Sequence, residues 1–307
     1  MSTIINIVDS FDYITSNCFQ HQLYETLSSN IFVQTMELNE FLRSKPKADG
    51  YISTLKLRTL ATHIESIAAV IGNKQLSVYD QDPWESFRDD GPWKGSYSRI
   101  AQLTYTTFFV TSRYWADWIS KRGLRCHFVP MWVLPKYCIQ PSQIEFNNRP
   151  IDVGFIGQIH PYRKELFDYL KSQNVHVTTL ASKSSYQEFL SALRTMKIFV
   201  HAETLPLTCD GEPMNLENGL FIKDVEAISQ GCYSIRNYGS THEDYLSEMK
   251  TFRSYRSMDE VPSIIEDVLM NQSSYDDISE IIESVRAISA NNRWKETCQE
   301  LILGCTR

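Results

Sequence analysis

At residues 151–164 the chain runs Ile151-Asp152-Val153-Gly154-Phe155-Ile156-Gly157-Gln158-Ile159-His160-Pro161-Tyr162-Arg163-Lys164. The β-branched and aromatic run up to Gly157 reads as a buried strand, and helical periodicity takes over at 162–171. Glycine at the strand end lets a ligand approach the backbone. The first turn of the following helix offers free N–H groups and a positive dipole end, a setting that suits phosphate. Arg163 and Lys164 lie in that turn, where cations oppose the dipole and cost stability unless an anion is close. The alternative is a glycine turn with two solvated basic residues. The spacing is not GxGxxG, so a dinucleotide fingerprint is not the reading.

The same alternation extends in both directions. Downstream, strands are expected at 175–180, 197–202 and 232–236, with helices at 186–196, 259–270 and 275–302. A polar loop at 203–217 leads to a helix ending near Gln230-Gly231. Upstream, strands are expected at 4–8, 31–36, 51–55, 76–79, 108–111 and 126–129, with helices at 11–28, 59–71 and 112–122. Ser112 caps the last of these and Gly123 terminates it. Repeated β-α-β predicts an α/β chain with parallel sheets and helices on both faces. Two such rounds predict two doubly wound domains facing a cleft, with ligands beyond the carboxyl ends of the strands. The expected division is an N-terminal domain at 1–135, a proline-bounded linker at 136–150, a second domain at 151–275 and C-terminal helices at 276–307 that cross back to the first domain.

The helix before Gly231 carries Lys223 and Glu226, three apart and on one face. A carboxylate can accept two hydrogen bonds from a ribose diol, and a lysine beside it can neutralise a diphosphate. An ion pair on a surface helix is the competing reading. Glu226-Ala227-Ile228-Ser229-Gln230-Gly231-Cys232 resembles the E-A-x-x-x-G signature of group 1 glycosyltransferases of the GT-B fold. It is most similar to their short, spore-maturation-protein-like branch, where a basic residue stands three before the Glu, as Lys223 does. Val153–Gly157 followed by Arg163-Lys164 is similar to that family's donor-phosphate loop. The likeness covers 151–245 and is weak in the first half.

The resemblance implies two Rossmann-like domains and transfer of a sugar from a nucleotide-sugar, such as a UDP-sugar or GDP-sugar, with retention and without a bound metal or other cofactor. It implies a donor site of Gly157, Arg163, Lys164, Lys223 and Glu226. The family's second Glu, eight residues before the ribose Glu, is Asn218 here with Glu217 beside it, so either of these takes the donor-sugar contact or the sugar is contacted differently. His160 and His201 are lesser candidates near the same loops.

Tyr79-Asp80-Gln81-Asp82-Pro83-Trp84-Glu85-Ser86-Phe87 concentrates acids and aromatics at the end of a short strand. Asp80 and Asp82 are candidate catalytic carboxylates, one acting as general base for an acceptor hydroxyl. Trp84 and Glu85 are candidate acceptor contacts, by stacking and by hydrogen bonding. Asp80-Gln81-Asp82 also has the D-x-D shape with which GT-A glycosyltransferases hold a divalent metal; that reading leaves the motifs at 151–231 unexplained. A polar loop with a packed Trp is the plain alternative.

Composition bounds the partners. The 307 residues are 42% hydrophobic and 22% charged with a net charge of −7, ordinary globular usage that excludes a disordered or low-complexity chain. Positions 1–130 are electrically balanced and the rest carries the acidic excess. The acceptor is therefore open: a small molecule, a glycan, a protein, or a hydroxymethylated base in DNA. Lys121, Arg122 and Arg125 form a basic patch that could meet phosphates or be an ordinary solvated helix end. No run reaches the roughly 20 apolar residues of a membrane span. The N-terminus reads as a first strand and not as a signal peptide. The seven Cys are scattered without a CxxC pair, which points to a reducing cytoplasm. A catalytically silent nucleotide-binding domain is the non-enzymatic alternative, motivated by Asn218.

Overall fold

The computed structural model describes residues 3–11, 18–181, 185–203, 206–215, 222–239, 246–247, 249–271 and 278–305. The chain divides into two compact units. One comprises Met1–Met131, Pro206–Met214 and Arg293–Arg307; the other comprises Trp132–Leu205 and Asn215–Asn292.

In chain order the first unit contains β1 (Ile4–Val8), α1 (Cys18–Ser28), β2 (Val33–Glu37), α2 (Leu38–Ser44), β3 (Gly50–Ser53), α3 (Leu57–Ile71), β4 (Gln75–Asp80), α4 (Ser96–Leu103), β5 (Tyr105–Val110), α5 (Arg113–Ser120) and β6 (Cys126–Phe128). The second unit follows with β7 (Ile151–Ile156), α6 (Pro161–Ser172), β8 (Thr178–Leu180), α7 (Tyr186–Leu193) and β9 (Met196–His201). The chain returns to the first unit for β10 (Pro206–Cys209) and β11 (Glu212–Asn215). It then adds α8 (Ile222–Ser229), β12 (Tyr233–Asn237), β13 (Phe252–Tyr255), α9 (Val261–Asn271) and α10 (Ile278–Ala290) to the second, and ends on α11 (Arg293–Gly304) in the first.

The first sheet has the order β2-β1-β3-β4-β5-β6 and its pairs are parallel. All five residues of β1 are buried, the continuous pattern of a central parallel strand. Its polar member, Asn6, is matched across the sheet, accepting from Thr54 Oγ1 at 3.3 Å. Leu57, Leu60, Ile64, Ile67 and Ile71 form the buried stripe of α3. Ser112 accepts the Trp115 N–H at 3.3 Å, the expected cap of α5, and Gly123 ends that turn with φ at 81°.

Three segments depart from the expected division. Residues 132–149, expected as the end of the first domain and the linker, pack into the second unit. Trp132 Nε1 donates to Ile288 O at 2.9 Å, and Val133, Ile139, Ile144 and Phe146 are buried. The loop expected at 203–217 contains the two-stranded β10-β11 ribbon, which packs in the first unit, with Asp89 N donating to Thr208 O at 2.8 Å. The helix expected over 275–302 is two helices. α10 stays with the second unit and α11 packs in the first, where Ser77 Oγ donates to Leu301 O at 2.7 Å.

The second sheet has the order β13-β12-β9-β7-β8, and its pairs are also parallel. Strand β13 and helices α2 and α4 had no counterpart in the sequence reading. Among the described residues no helix is long and apolar enough to cross a membrane.

Candidate active site

In the second sheet β7 lies between β8 and β9, so the connections leaving β7 and β9 run to opposite sides. Open α/β sheets bind ligands in the crevice that this divergence leaves at the carboxyl ends. Gly157 follows β7 at that point. Its φ of 134° lies in the region reserved for glycine, and its N–H donates to Leu180 O at 3.2 Å. From α8, 66 residues on, Lys223 reaches the same spot. Its Nζ donates to Ile156 O at 3.5 Å, sits 5.7 Å from the Phe155 ring centroid, and lies 2.8 Å from where a Cβ on Gly157 would stand.

The helix that carries Lys223 and Glu226 is not a surface helix. Seven of the eight residues of α8 are buried, and Glu226 is 1% exposed. Glu217 and Asn218 lie outside the described residues.

Arg163 and Lys164, adjacent in sequence, have different surroundings. Lys164 is exposed and pairs with Asp168 one turn on along α6. Arg163 is 6% exposed. Its guanidinium donates to Gln158 O at 2.7 Å and to Ala202 O at 3.2 Å, and ion-pairs with Glu203. Glu203 also accepts from Tyr162 Oη at 2.9 Å and from His201 Nε2 at 2.8 Å. Burial pushes the Glu203 carboxyl up, but the His201 hydrogen bond and the attraction of His201, Arg163 and Arg236 outweigh it and hold the group at about 2. The other ring nitrogen of His201 faces Asp224 Oδ2 at 3.6 Å, and Asp224 accepts from Arg236 at 2.8 Å and Ser234 at 2.7 Å. His160 caps α6 without a side-chain bond and stacks on Tyr162.

In the first unit, a cavity of about 280 Å³ opens at the carboxyl ends of β3 and β4, lined by Asp80, Asp82, Glu85, Lys56, Arg58 and Gln20 among others. Asp80 is 7% exposed and accepts from Tyr97 Oη at 2.9 Å and from the Asp82 N–H at 3.0 Å. Burial raises its carboxyl against those hydrogen bonds, to about 6. Glu85 is also raised by burial, an effect offset in part by Arg58, Arg88 and Lys56. Trp84 is half-buried in the short turn Pro83–Ser86 and does not line the cavity. Among the described residues no group of three or more His, Cys, Asp or Glu side chains converges as a metal site. Arg122, from the basic patch, is held by Asp210 at 3.3 Å and Glu212 at 2.8 Å and lies over the Trp118 ring, so its charge is already paired.

Sequence reasoning missed the buried carboxylates Glu203 and Asp224, their partner Arg236, and the cations Lys56 and Arg58. Position at a strand's carboxyl end was the available signal for Glu203, Arg236 and Lys56.

No protein-family model matches the chain, and no curated protein sequence matches it. Solved structures do. The apo structure of OtsA is 10% identical with a TM-score of 0.63, over 98% of this chain and 99% of that one. Anabaena HepE in complex with UDP-glucose is 11% identical with a TM-score of 0.62, over 99% and 100%. An alpha-glucosyltransferase in complex with UDP and a 13-mer DNA containing an HMU base is 9% identical with a TM-score of 0.62, over the whole of both chains. At such identities the likeness concerns the fold. The chain has the α/β fold of these GT-B glycosyltransferases, built from two Rossmann-like units.

Proposed function

We propose that this protein is a glycosyltransferase that binds a nucleotide-sugar on its second unit and an acceptor hydroxyl on its first. The observation that carries the reading is the approach of Lys223 Nζ to Gly157 at the switch point of the second sheet. Glycosyl transfer leaves a nucleoside diphosphate with growing negative charge, and a preorganised cation beside an open backbone offsets that charge. Lys223 is assigned the diphosphate, and Gly157 the close approach of a phosphate. Glu226 is assigned the ribose diol, and Glu217 or Asn218 the donor sugar. Arg163, with its charge balanced by Glu203, holds the loop instead of meeting the diphosphate alone. Lys164 is a peripheral contact.

HepE and the alpha-glucosyltransferase hold UDP or UDP-glucose, which supports a uridine nucleotide as donor and makes UDP the first probe. Lys223, three before Glu226, supports assignment to the short spore-maturation-protein-like branch. Retention and independence from a metal follow from the same resemblance. In the first unit, the acid-lined cavity suits a hydroxyl-rich acceptor: Glu85 binds hydroxyls, and Asp80 or Asp82 takes the proton of the attacking one. Cys126, Cys138, Cys209, Cys232, Cys298 and Cys305 are free and buried, which supports a reducing compartment such as the cytoplasm.

The test is binding and hydrolysis of UDP-glucose, followed by transfer to candidate acceptors, with and without chelator. Slow, chelator-insensitive hydrolysis supports the reading. Nucleotide binding with no turnover for any acceptor or water favours a non-catalytic domain. Activity that is lost with chelator and in Asp80→Ala favours a metal at Asp80-Gln81-Asp82.

A further inference from the structure

The buried charges of the second unit form a continuous chain. The Arg163 guanidinium bonds Gln158 O on the segment after β7, and Ala202 O and the Glu203 carboxylate on the segment after β9. These are the two strands that flank the switch point. Glu203 is itself fixed on every side. Tyr162 and His201 donate to its carboxylate, its N–H donates to Asn237 Oδ1 at 2.7 Å, and Asn237 Nδ2 returns a bond to its carbonyl at 3.2 Å. Through His201 the chain continues to Asp224 and Arg236. Asp224 sits on α8 beside Lys223 and two residues before Glu226.

We propose that Glu203 is a positioning residue that, through Arg163 on one side and His201–Asp224 on the other, holds the loop after β7 and helix α8 in register, so that Gly157 and Lys223 meet. The consequence for ligand binding rests on the donor reading above; the registering role does not. A buried ion pair contributes little net stability over an apolar replacement, and its best-attested use is to specify one arrangement. Here that arrangement is the spacing between a cation and a glycine backbone. Loose spacing would cost the diphosphate its preorganised contact and disturb contacts to a nucleoside less.

The experiment compares the full chain with Glu203→Gln and Glu203→Asp, first by amide hydrogen exchange without ligand. In Glu203→Gln, exchange at 157–164 and 222–229 should accelerate about tenfold, the scale of a lost charge-assisted hydrogen bond, while β1 and β4 exchange as in the wild type. Glu203→Asp, which keeps the charge and shortens the reach, should fall between. Titration with UDP and with uridine follows. The glutamine variant should lose about tenfold for UDP and less for uridine, whose ribose contact Glu226 lies further along α8. Unchanged exchange at both segments in a folded variant overturns the proposal, as does an equal loss for UDP and uridine. If Glu203→Gln does not fold, the aspartate variant decides by the same readings. If the wild type binds no UDP, the donor reading fails while hydrogen exchange still decides the role of Glu203.

Discussion

Lys223 Nζ stands 2.8 Å from the point where a Cβ on Gly157 would lie, and Gly157 itself has φ at 134°. Alanine there is disfavoured by the backbone conformation, and its Cβ would push the lysine head aside. Gly157→Ala should therefore destabilise the second unit by about 1–3 kcal/mol and displace Lys223. Denaturant unfolding of the variant, with UDP binding measured alongside, checks both effects. A neutral substitution would mean that Gly157 does not keep this backbone conformation in solution.

Glu226 carries the ribose assignment from a nearly solvent-free position. Glu226→Ala should weaken UDP and uridine alike by about 1–3 kcal/mol, the scale of a lost charged hydrogen bond. Lys223→Ala should weaken UDP and spare uridine. Calorimetric titration of both ligands against both variants separates the two roles. Normal uridine binding by Glu226→Ala would remove it from the ribose.

Gly157 and Lys223 were each legible as candidates because each lies in a local pattern, a strand-end glycine and a helix ahead of E-A-x-x-x-G; their approach to one another was not. Glu203 was not, because its partners Tyr162, Arg163, His201 and Asn237 come from three segments and only the fold assembles them. The ribbon at 206–215 was missed although its signal was present. Asp210-Gly211 is a hairpin dipeptide, and both residues have positive φ, 49° and 78°. Asn147, Asn148 and Pro150 suggested a linker at 136–150, whereas the apolar content of the stretch from Trp132 to Phe146 was the better guide to its burial. The six strands of the first sheet were readable from their apolar runs, and strand ends differed by at most three residues.

Asp80 gives a pH dependence with a definite sign. Its carboxyl titrates near 6 in the folded chain against an ordinary 3.8. Between those values the unfolded chain sheds a proton that the folded chain keeps, so folding stability falls as pH rises through the window. Asp80→Asn removes that loss. At pH 8 the variant should be more stable than the wild type by up to about 3 kcal/mol, with no such gain below pH 4. Thermal unfolding across pH 3.5–8 measures it (range set to bracket about 4 to 6). If Asp80 is the base, the same variant loses transfer, and wild-type transfer rises through about pH 6.

Gly304 tests how α11 is seated. A Cβ there would lie 2.5 Å from Ser77 Oγ and 2.7 Å from the Phe109 ring. Gly304→Ala should cost about 1–3 kcal/mol by overpacking. Chemical denaturation of the variant reads that cost, and a stability within error of the wild type would argue against this packing of the C-terminal helix.

The central claim is that the second unit holds a nucleoside diphosphate at Gly157 and Lys223. The most direct measurement is UDP binding by the wild type, Lys223→Ala and Asp82→Ala, read as thermal stabilisation. At about 100 times its dissociation constant, UDP should add about 2.7 kcal/mol to the wild type. Asp82→Ala should keep that gain, and Lys223→Ala should lose most of it. Equal stabilisation of all three proteins, or none for the wild type with UDP, GDP and their sugars, would contradict the account.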